Sequence, residues 1–159
     1  MKNKILSITK LEVIVKNLKP DNRIVLTNGC FDLLHTGHVR YLNKAASLGD
    51  ILIVAVNSDQ SVKALKGDSR PLIPLNERME VLAALESVDF ITNFSTETCS
   101  PVIEKLKPDI YVKGGDYSPE TLPEWNIVNE YGGDVKFIEM TTERSTSGII
   151  EKIISSHKK

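Results

Sequence analysis

Short, continuously apolar runs alternate along this chain with stretches whose apolar residues recur every three or four positions. Leu11, Ile14, Val15 and Leu18 fall at helical spacing and predict an amphipathic helix over residues 7–18, ended by Pro20-Asp21-Asn22. Ile24-Val25-Leu26 has the unbroken apolar character of a strand covered on both faces. Val39, Leu42, Ala45 and Ala46 predict a helix from His38 to Leu48, stopped by Gly49, and Ile51–Val56 reads as a second buried strand. A short helix follows near Gln60–Leu65, then a turn-rich loop from Lys66 to Pro71. Met79, Leu82 and Leu85 give a helix over 76–87 a buried side. Phe90-Ile91-Thr92 is the third strand, and Ser100 as N-cap with Pro101 in the first helical position opens the next helix. Ile110-Tyr111-Val112 is the fourth strand, running into Gly114-Gly115. A helix over 123–131 ends at Gly132-Gly133, and 135–138 is the fifth strand. A last helix carries Ile149, Ile150, Ile153 and Ile154 on one side.

Strand and helix thus alternate about five times, which predicts α/β architecture: a doubly wound, Rossmann-like parallel sheet of five strands in a single domain. A helix over 7–19 precedes a core spanning 22–154. Such sheets bind ligands at the carboxyl ends of their strands, where the strand order reverses. The 159 residues suit one domain, and 20 Lys+Arg against 21 Asp+Glu leave no excess positive charge to hold a nucleic-acid backbone. The longest apolar run, Ile51–Val56, is far too short for a membrane span, and the charged N-terminus is no secretory signal. Cys30 and Cys99 make neither a disulfide framework nor a zinc site. A cytoplasmic location is expected.

Polar residues concentrate just after the strands. Thr27-Asn28-Gly29-Cys30-Phe31-Asp32-Leu33-Leu34-His35-Thr36-Gly37-His38 follows strand 1 and holds two of the chain's three histidines at the mouth of a helix. A helix N-terminus offers N–H donors and partial positive charge, imidazoles add directional donors, and Gly37 permits close backbone approach. These parts suit a phosphate. The plain alternative is a pair of histidines capping a turn. No third ligand of good type stands near enough to make zinc attractive.

This stretch resembles the HxGH motif of the nucleotidylyltransferase superfamily. The resemblance continues in order through Gly49-Asp50, Val54–Asp59, Lys66-Gly67-Asp68-Ser69-Arg70-Pro71, Glu77-Arg78, Val112-Lys113-Gly114-Gly115-Asp116-Tyr117 and Ser145-Thr146-Ser147. The HxGH motif specifies only the superfamily. The blocks beginning at Lys66 and Lys113 favour its heptose 1-phosphate adenylyltransferase branch.

The resemblance implies transfer of AMP from ATP to a heptose 1-phosphate, with His35, His38 and Lys113 as catalytic groups. It implies nucleotide contacts from Thr27, Asn28, Gly29, Cys30, Phe31, Gly37, Arg78, Gly114, Ser145, Thr146 and Ser147. Sugar-phosphate contacts are expected of Asp32, Asn57, Asp59, Lys66, Arg70, Gly115 and Asp116, although Asp32 reads equally as a structural carboxylate. Mg²⁺ would ride on the triphosphate with few protein ligands, so no protein metal site is expected. Some relatives place an arginine where this chain has Met140, which leaves Arg144 to take that role or to be a solvated loop charge. Lys44 is either a phosphate contact or a solvent-facing helix lysine, and Trp125 is either packing or a pocket wall. Cys30 has no adjacent base and reads as a small filler. The family further implies a homodimer; its members often carry this module fused behind a sugar kinase, and here, where it stands alone, a separate kinase is expected to supply the sugar phosphate. A cytidylyltransferase for glycerol 3-phosphate and a catalytically silent nucleotide-binding module are the competing readings.

Overall fold

The computed structural model describes residues 3–139 and 145–157. Its elements, in chain order, are α1 (Ile8–Leu18), β1 (Ile24–Gly29), α2 (Thr36–Ala46), β2 (Ile51–Asn57), α3 (Asp59–Lys66), α4 (Leu75–Ala83), β3 (Phe90–Phe94), α5 (Ser100–Leu106), β4 (Ile110–Gly114), α6 (Trp125–Glu130), β5 (Asp134–Ile138) and α7 (Thr146–His157). The five strands form one parallel sheet in the order β3-β2-β1-β4-β5. The reversal lies between β1 and β4, which are neighbours with Leu26 opposite Tyr111 and Thr27 opposite Val112.

Strand alternation divides the core into two layers. Ile24 and Leu26 of β1, Ile53 and Ala55 of β2 and Tyr111 of β4 pack against Leu11 and Val15 of α1, Val102 and Ile103 of α5, and Val128 of α6. Val25, Leu52, Val54, Val56 and Val112 face the other way, onto Tyr41, Leu42 and Ala45 of α2 and Met79 and Leu82 of α4. Both faces of the central strands are buried, which is why they read as unbroken apolar runs.

The opposite end of the sheet from the ligand-binding edge is tied by three aspartates. The carboxylate of Asp50 accepts the amide of Arg23, that of Asp89 the amide of Leu52, and that of Asp109 the amide of Ile24. Each satisfies an amide at or beside the start of a neighbouring strand and fixes its register. Gly49 sits where a Cβ would come within 2.7 Å of the Arg23 carbonyl, so only glycine lets this turn close on β1.

Several predicted boundaries move. β1 continues three residues past Leu26, to Gly29, and α2 starts at Thr36 rather than His38. α4 ends at Ala83, before Leu85 and Ser87, and α6 is the shorter Trp125–Glu130. Cys99, not Ser100, is the cap of α5, which puts Pro101 one residue deeper in the first turn. Among the described residues no helix is long and apolar enough to cross a membrane.

Candidate active site

A cavity of about 160 Å³ opens at the carboxyl ends of β1 and β4, where the strand order reverses. Its wall is Asn28 and Gly29 from the end of β1 with Cys30, Phe31 and Asp32 from the loop that follows, His38 and Tyr41 from α2, Lys66 from the end of α3, Lys113 and Gly114 from β4, and Thr146 from α7. Five segments of the chain thus meet at one polar hollow.

His35 is the N-cap of α2: its Nδ1 accepts the amide of Gly37 at 3.1 Å. An accepting Nδ1 carries no proton, so a neutral His35 ring has its proton on Nε2, the nitrogen on its far side. The amide of His38 bonds the His35 carbonyl, so the first turn of α2 is partly satisfied by His35 itself. The capping alternative is therefore true of His35, and the helix mouth offers fewer free N–H groups than its position suggests.

The rings of His35 and His38 lie with centroids 4.0 Å apart, and Phe31 meets His38 edge-on at 5.4 Å. Nδ1 of His38 is buried without a hydrogen-bond partner among the described residues. Burial, the neighbouring His35 and the Lys66 ammonium together push His38 down to about 4, and burial lowers His35 as well. Both imidazoles are neutral at pH 7.

The loop from Asn28 to Leu34 is braced from beneath. Phe31 holds a left-handed backbone, φ 47°, which is uncommon for a bulky residue and costs about 1–2 kcal/mol. The Asp32 carboxylate accepts Arg70 Nη1 at 2.6 Å and the amides of Leu72 and Ile73 at 2.8 and 3.0 Å. Burial alone would raise this carboxyl. The Ile73 amide, the Arg70 guanidinium and the Leu72 amide outweigh it and hold Asp32 below the usual carboxylate range. Arg78 is 1% exposed and donates to the carbonyls of Ile73, Cys30 and Asn57 and to Asp59 Oδ1. Those bonds occupy four of its five N–H donors.

The structure therefore sorts the predicted residues. Asn28, Gly29, Cys30, Phe31, Asp32, His38, Lys66, Lys113, Gly114 and Thr146 share the cavity wall, and His35 stacks on His38 beside it. Thr27 turns its hydroxyl to Tyr41 and the Val112 carbonyl, away from the hollow. Arg78 lies under the loop rather than on the wall, and reaching a leaving phosphate would require it to abandon its carbonyls. Asn57 bonds Ser61 Oγ, and Asp59 and Arg70 line a second cleft with Lys63 and Asp68. Gly115 and Asp116 are exposed and outside the cavity wall. Gly37 is buried in the first turn of α2. Ser145 caps α7 by accepting the Gly148 amide, Ser147 is exposed, and Thr146 Oγ1 donates to the Leu33 carbonyl.

Lys44 is an exposed lysine of α2, off the cavity wall. Trp125 stacks on Phe137 at 6.3 Å and packs against the core, which favours its packing role. Met140 and Arg144 lie outside the described residues. Cys30 and Cys99 are free thiols, and Cys30 is a half-buried wall residue whose thiol burial pushes up. The wall residue that sequence reasoning missed is Tyr41. Its spacing, one helical turn beyond His38, was the available signal, but an aromatic there also reads as core. It is both: 7% exposed, with its hydroxyl on Thr27.

No three His, Cys, Asp or Glu side chains group to hold a metal ion among the described residues. The one carboxylate on the cavity wall, Asp32, has both oxygens engaged. This donor set does not fit a protein-held Mg²⁺; the wall instead presents ammonium, imidazole and hydroxyl groups.

Comparison with known proteins agrees with the fold. The family model described as Cytidylyltransferase-like matches residues 26–158. The chain is 51% identical over 135 residues to the bifunctional protein HldE of Syntrophotalea carbinolica, covering 85% of this chain and 28% of that protein. It is 50% identical over 151 residues to HldE of Geotalea uraniireducens, covering 94% of this chain and 31% of that protein. The chain thus spans less than a third of the length of these curated relatives. A solved structure described as the lipopolysaccharide core biosynthesis protein from Thermoplasma volcanium superposes with a TM-score of 0.65 at 26% identity, covering 77% of this chain and 99% of that one. A pantoate-β-alanine ligase from Francisella tularensis shares the fold, with a TM-score of 0.62 at 19% identity, covering 91% of this chain and 69% of that one.

Proposed function

The chain belongs to the cytidylyltransferase-like family and is a nucleotidyltransferase; on that premise we propose that it transfers AMP from ATP to a heptose 1-phosphate, D-glycero-β-D-manno-heptose 1-phosphate. The products are ADP-heptose and pyrophosphate. A phosphate oxygen of the sugar phosphate attacks the α-phosphorus in line. The new P–O bond forms as the bond from the α-phosphorus to the bridging oxygen breaks, and that oxygen leaves with pyrophosphate. The attacking phosphate has a second pKa of ~6, so it is largely dianionic at neutral pH and needs no strong base.

The observation that carries this reading is the composition of the cavity wall. Imidazole and ammonium donors converge there, and the one wall carboxylate is occupied. Such a site stabilises negative charge and positions reactants; it is poorly equipped to abstract a proton. His38 and His35 would donate from neutral rings to the α-phosphoryl oxygens, Lys113 and Lys66 would neutralise the polyphosphate, and Thr146 with the α7 N-terminus would meet its far end. Arg78 and Asp32 act one step removed, as braces of the loop that carries Cys30 and Phe31. Any Mg²⁺ would arrive on the triphosphate as part of the substrate. The choice of sugar is supported by the Lys66–Pro71 and Lys113–Tyr117 blocks and by the high identity to HldE. A homodimer belongs to the same proposal.

The deciding experiment supplies heptose 1-phosphate with each of ATP, CTP, GTP and UTP and reads pyrophosphate release. Release with ATP is expected. Release with CTP and glycerol 3-phosphate in its place would overturn the assignment, and tight ATP binding without release would mark a catalytically silent module.

A further inference from the structure

We propose that Tyr111 is a positioning residue of the nucleotide site: its hydroxyl orients the Asn28 amide, and that amide holds the Lys113 ammonium at the cavity wall. The inference rests on the reading of Lys113 as a phosphate contact.

Tyr111 lies in the middle of β4, is 0% exposed, and is not itself a wall residue. Alternation puts it on the same face of the sheet as Lys113, two residues on, and as Leu26 and Asn28 of the neighbouring strand. Its hydroxyl reaches Asn28 Oδ1 at 2.7 Å, and Lys113 Nζ reaches the same oxygen at 2.9 Å. The chemistry fixes every role in this cluster. An ammonium has three donors and no acceptor, so the amide atom facing Lys113 is oxygen. Tyr111, facing that oxygen too, must donate. Burial holds its phenol well above its ordinary range, so the donor keeps its proton. Both lone pairs of Oδ1 are then used. Lys113 Nζ also stands 5.1 Å from the ring centroid of Tyr117, a second and softer restraint.

Without the Tyr111 hydroxyl, one of the two bonds that fix the amide is gone. A flipped amide would present N–H groups to the ammonium, donor against donor, and Lys113 would be free to swing towards Tyr117. The cluster thus explains a buried tyrosine hydroxyl that the transfer reaction itself does not use.

The test is ATP affinity measured by titration calorimetry, with no sugar present, in single and double variants. Tyr111→Phe is expected to weaken ATP binding by ~3–10-fold, the worth of one hydrogen bond. The same change made in a Lys113→Met or an Asn28→Ala background is expected to alter affinity by less than about twofold, because the positioned group or its clamp is already gone. Tyr131→Phe, which removes a hydroxyl bonded to the Pro108 carbonyl, serves as the structural control and leaves affinity unchanged. Equal fold-losses in all backgrounds, or no loss in Tyr111→Phe, would overturn the proposal. A wild-type chain that fails to bind ATP would sink both this inference and the functional reading. Binding with normal affinity but no transfer to heptose 1-phosphate would sink only the latter.

Discussion

The two loops that border the cavity are built on opposite principles. The loop after β1 is immobilised from below: Asp32 collects three donors, Arg78 grips the Cys30 carbonyl, and Phe31 is held left-handed against His38. The segment after β4 runs at once into exposed Gly115, Asp116 and Tyr117, and Lys113 is held by one amide oxygen and one ring face. The first arrangement suits groups that must meet a reacting phosphorus at a fixed distance. The second suits a charge aimed at a polyanion by a single amide clamp. The difference teaches that the buried Arg78 and Asp32 fix the geometry of the site, while the half-buried Lys113 is left for the ligand.

Substitutions break this contrast in graded ways. The largest effect is expected from Arg78→Met, which leaves three carbonyls without their donor. Thermal or denaturant unfolding should show a loss of about 3 kcal/mol or more, and a near-normal melting curve would mean that the loop after β1 is not braced as described. His38→Ala should lower turnover by ~10²–10³ while the melting temperature stays close to wild type. Wild-type turnover would remove His38 from the reaction. Lys113→Ala should raise the KM for ATP by ~10–100-fold with little change in unfolding, since the group lies at the cavity wall and serves the ligand. A large stability loss there would erase the contrast between the two loops.

A smaller effect concerns pH. His38 stands near 4 in the folded chain against 6.5 when free. Between these values the unfolded chain binds the extra proton, so stability contributed by the neutral ring is complete above 6.5 and is lost as pH falls towards 4. Melting temperature measured from pH 7 to pH 5 should therefore fall more steeply in wild type than in His38→Gln. Equal slopes would show that the ring titrates freely. Smallest of all, Asp116→Asn should change kcat/KM by less than about twofold, given its exposed place beyond the wall. A loss of tenfold or more would show that the open loop closes on substrate.

The sheet, the order of its elements and the carboxyl-end location of the site were all legible in the sequence. Runs buried on both faces and helices buried on one leave distinct periodicities, and the HxGH turn and its companion blocks lie along the chain in readable order. Asn28 through Asp32 and His38, close together in the sequence, also lie together on the cavity wall. The sequence did not show which residues turn to distant neighbours. Arg78 read as a phosphate contact because a helical arginine looks the same whether its guanidinium faces solvent or three backbone carbonyls. Thr27 sits inside the motif, yet its hydroxyl turns towards Tyr41, which only the packing of α2 on β1 and β4 decides. The Asp50, Asp89 and Asp109 ties and the Tyr111–Asn28–Lys113 cluster were invisible for the same reason. Periodicity is a local property that records which face of an element is buried. The partner of a buried polar atom is set by strand register and crossover, which join residues 85 positions apart in the Asn28–Lys113 contact, and no pattern within one segment encodes it.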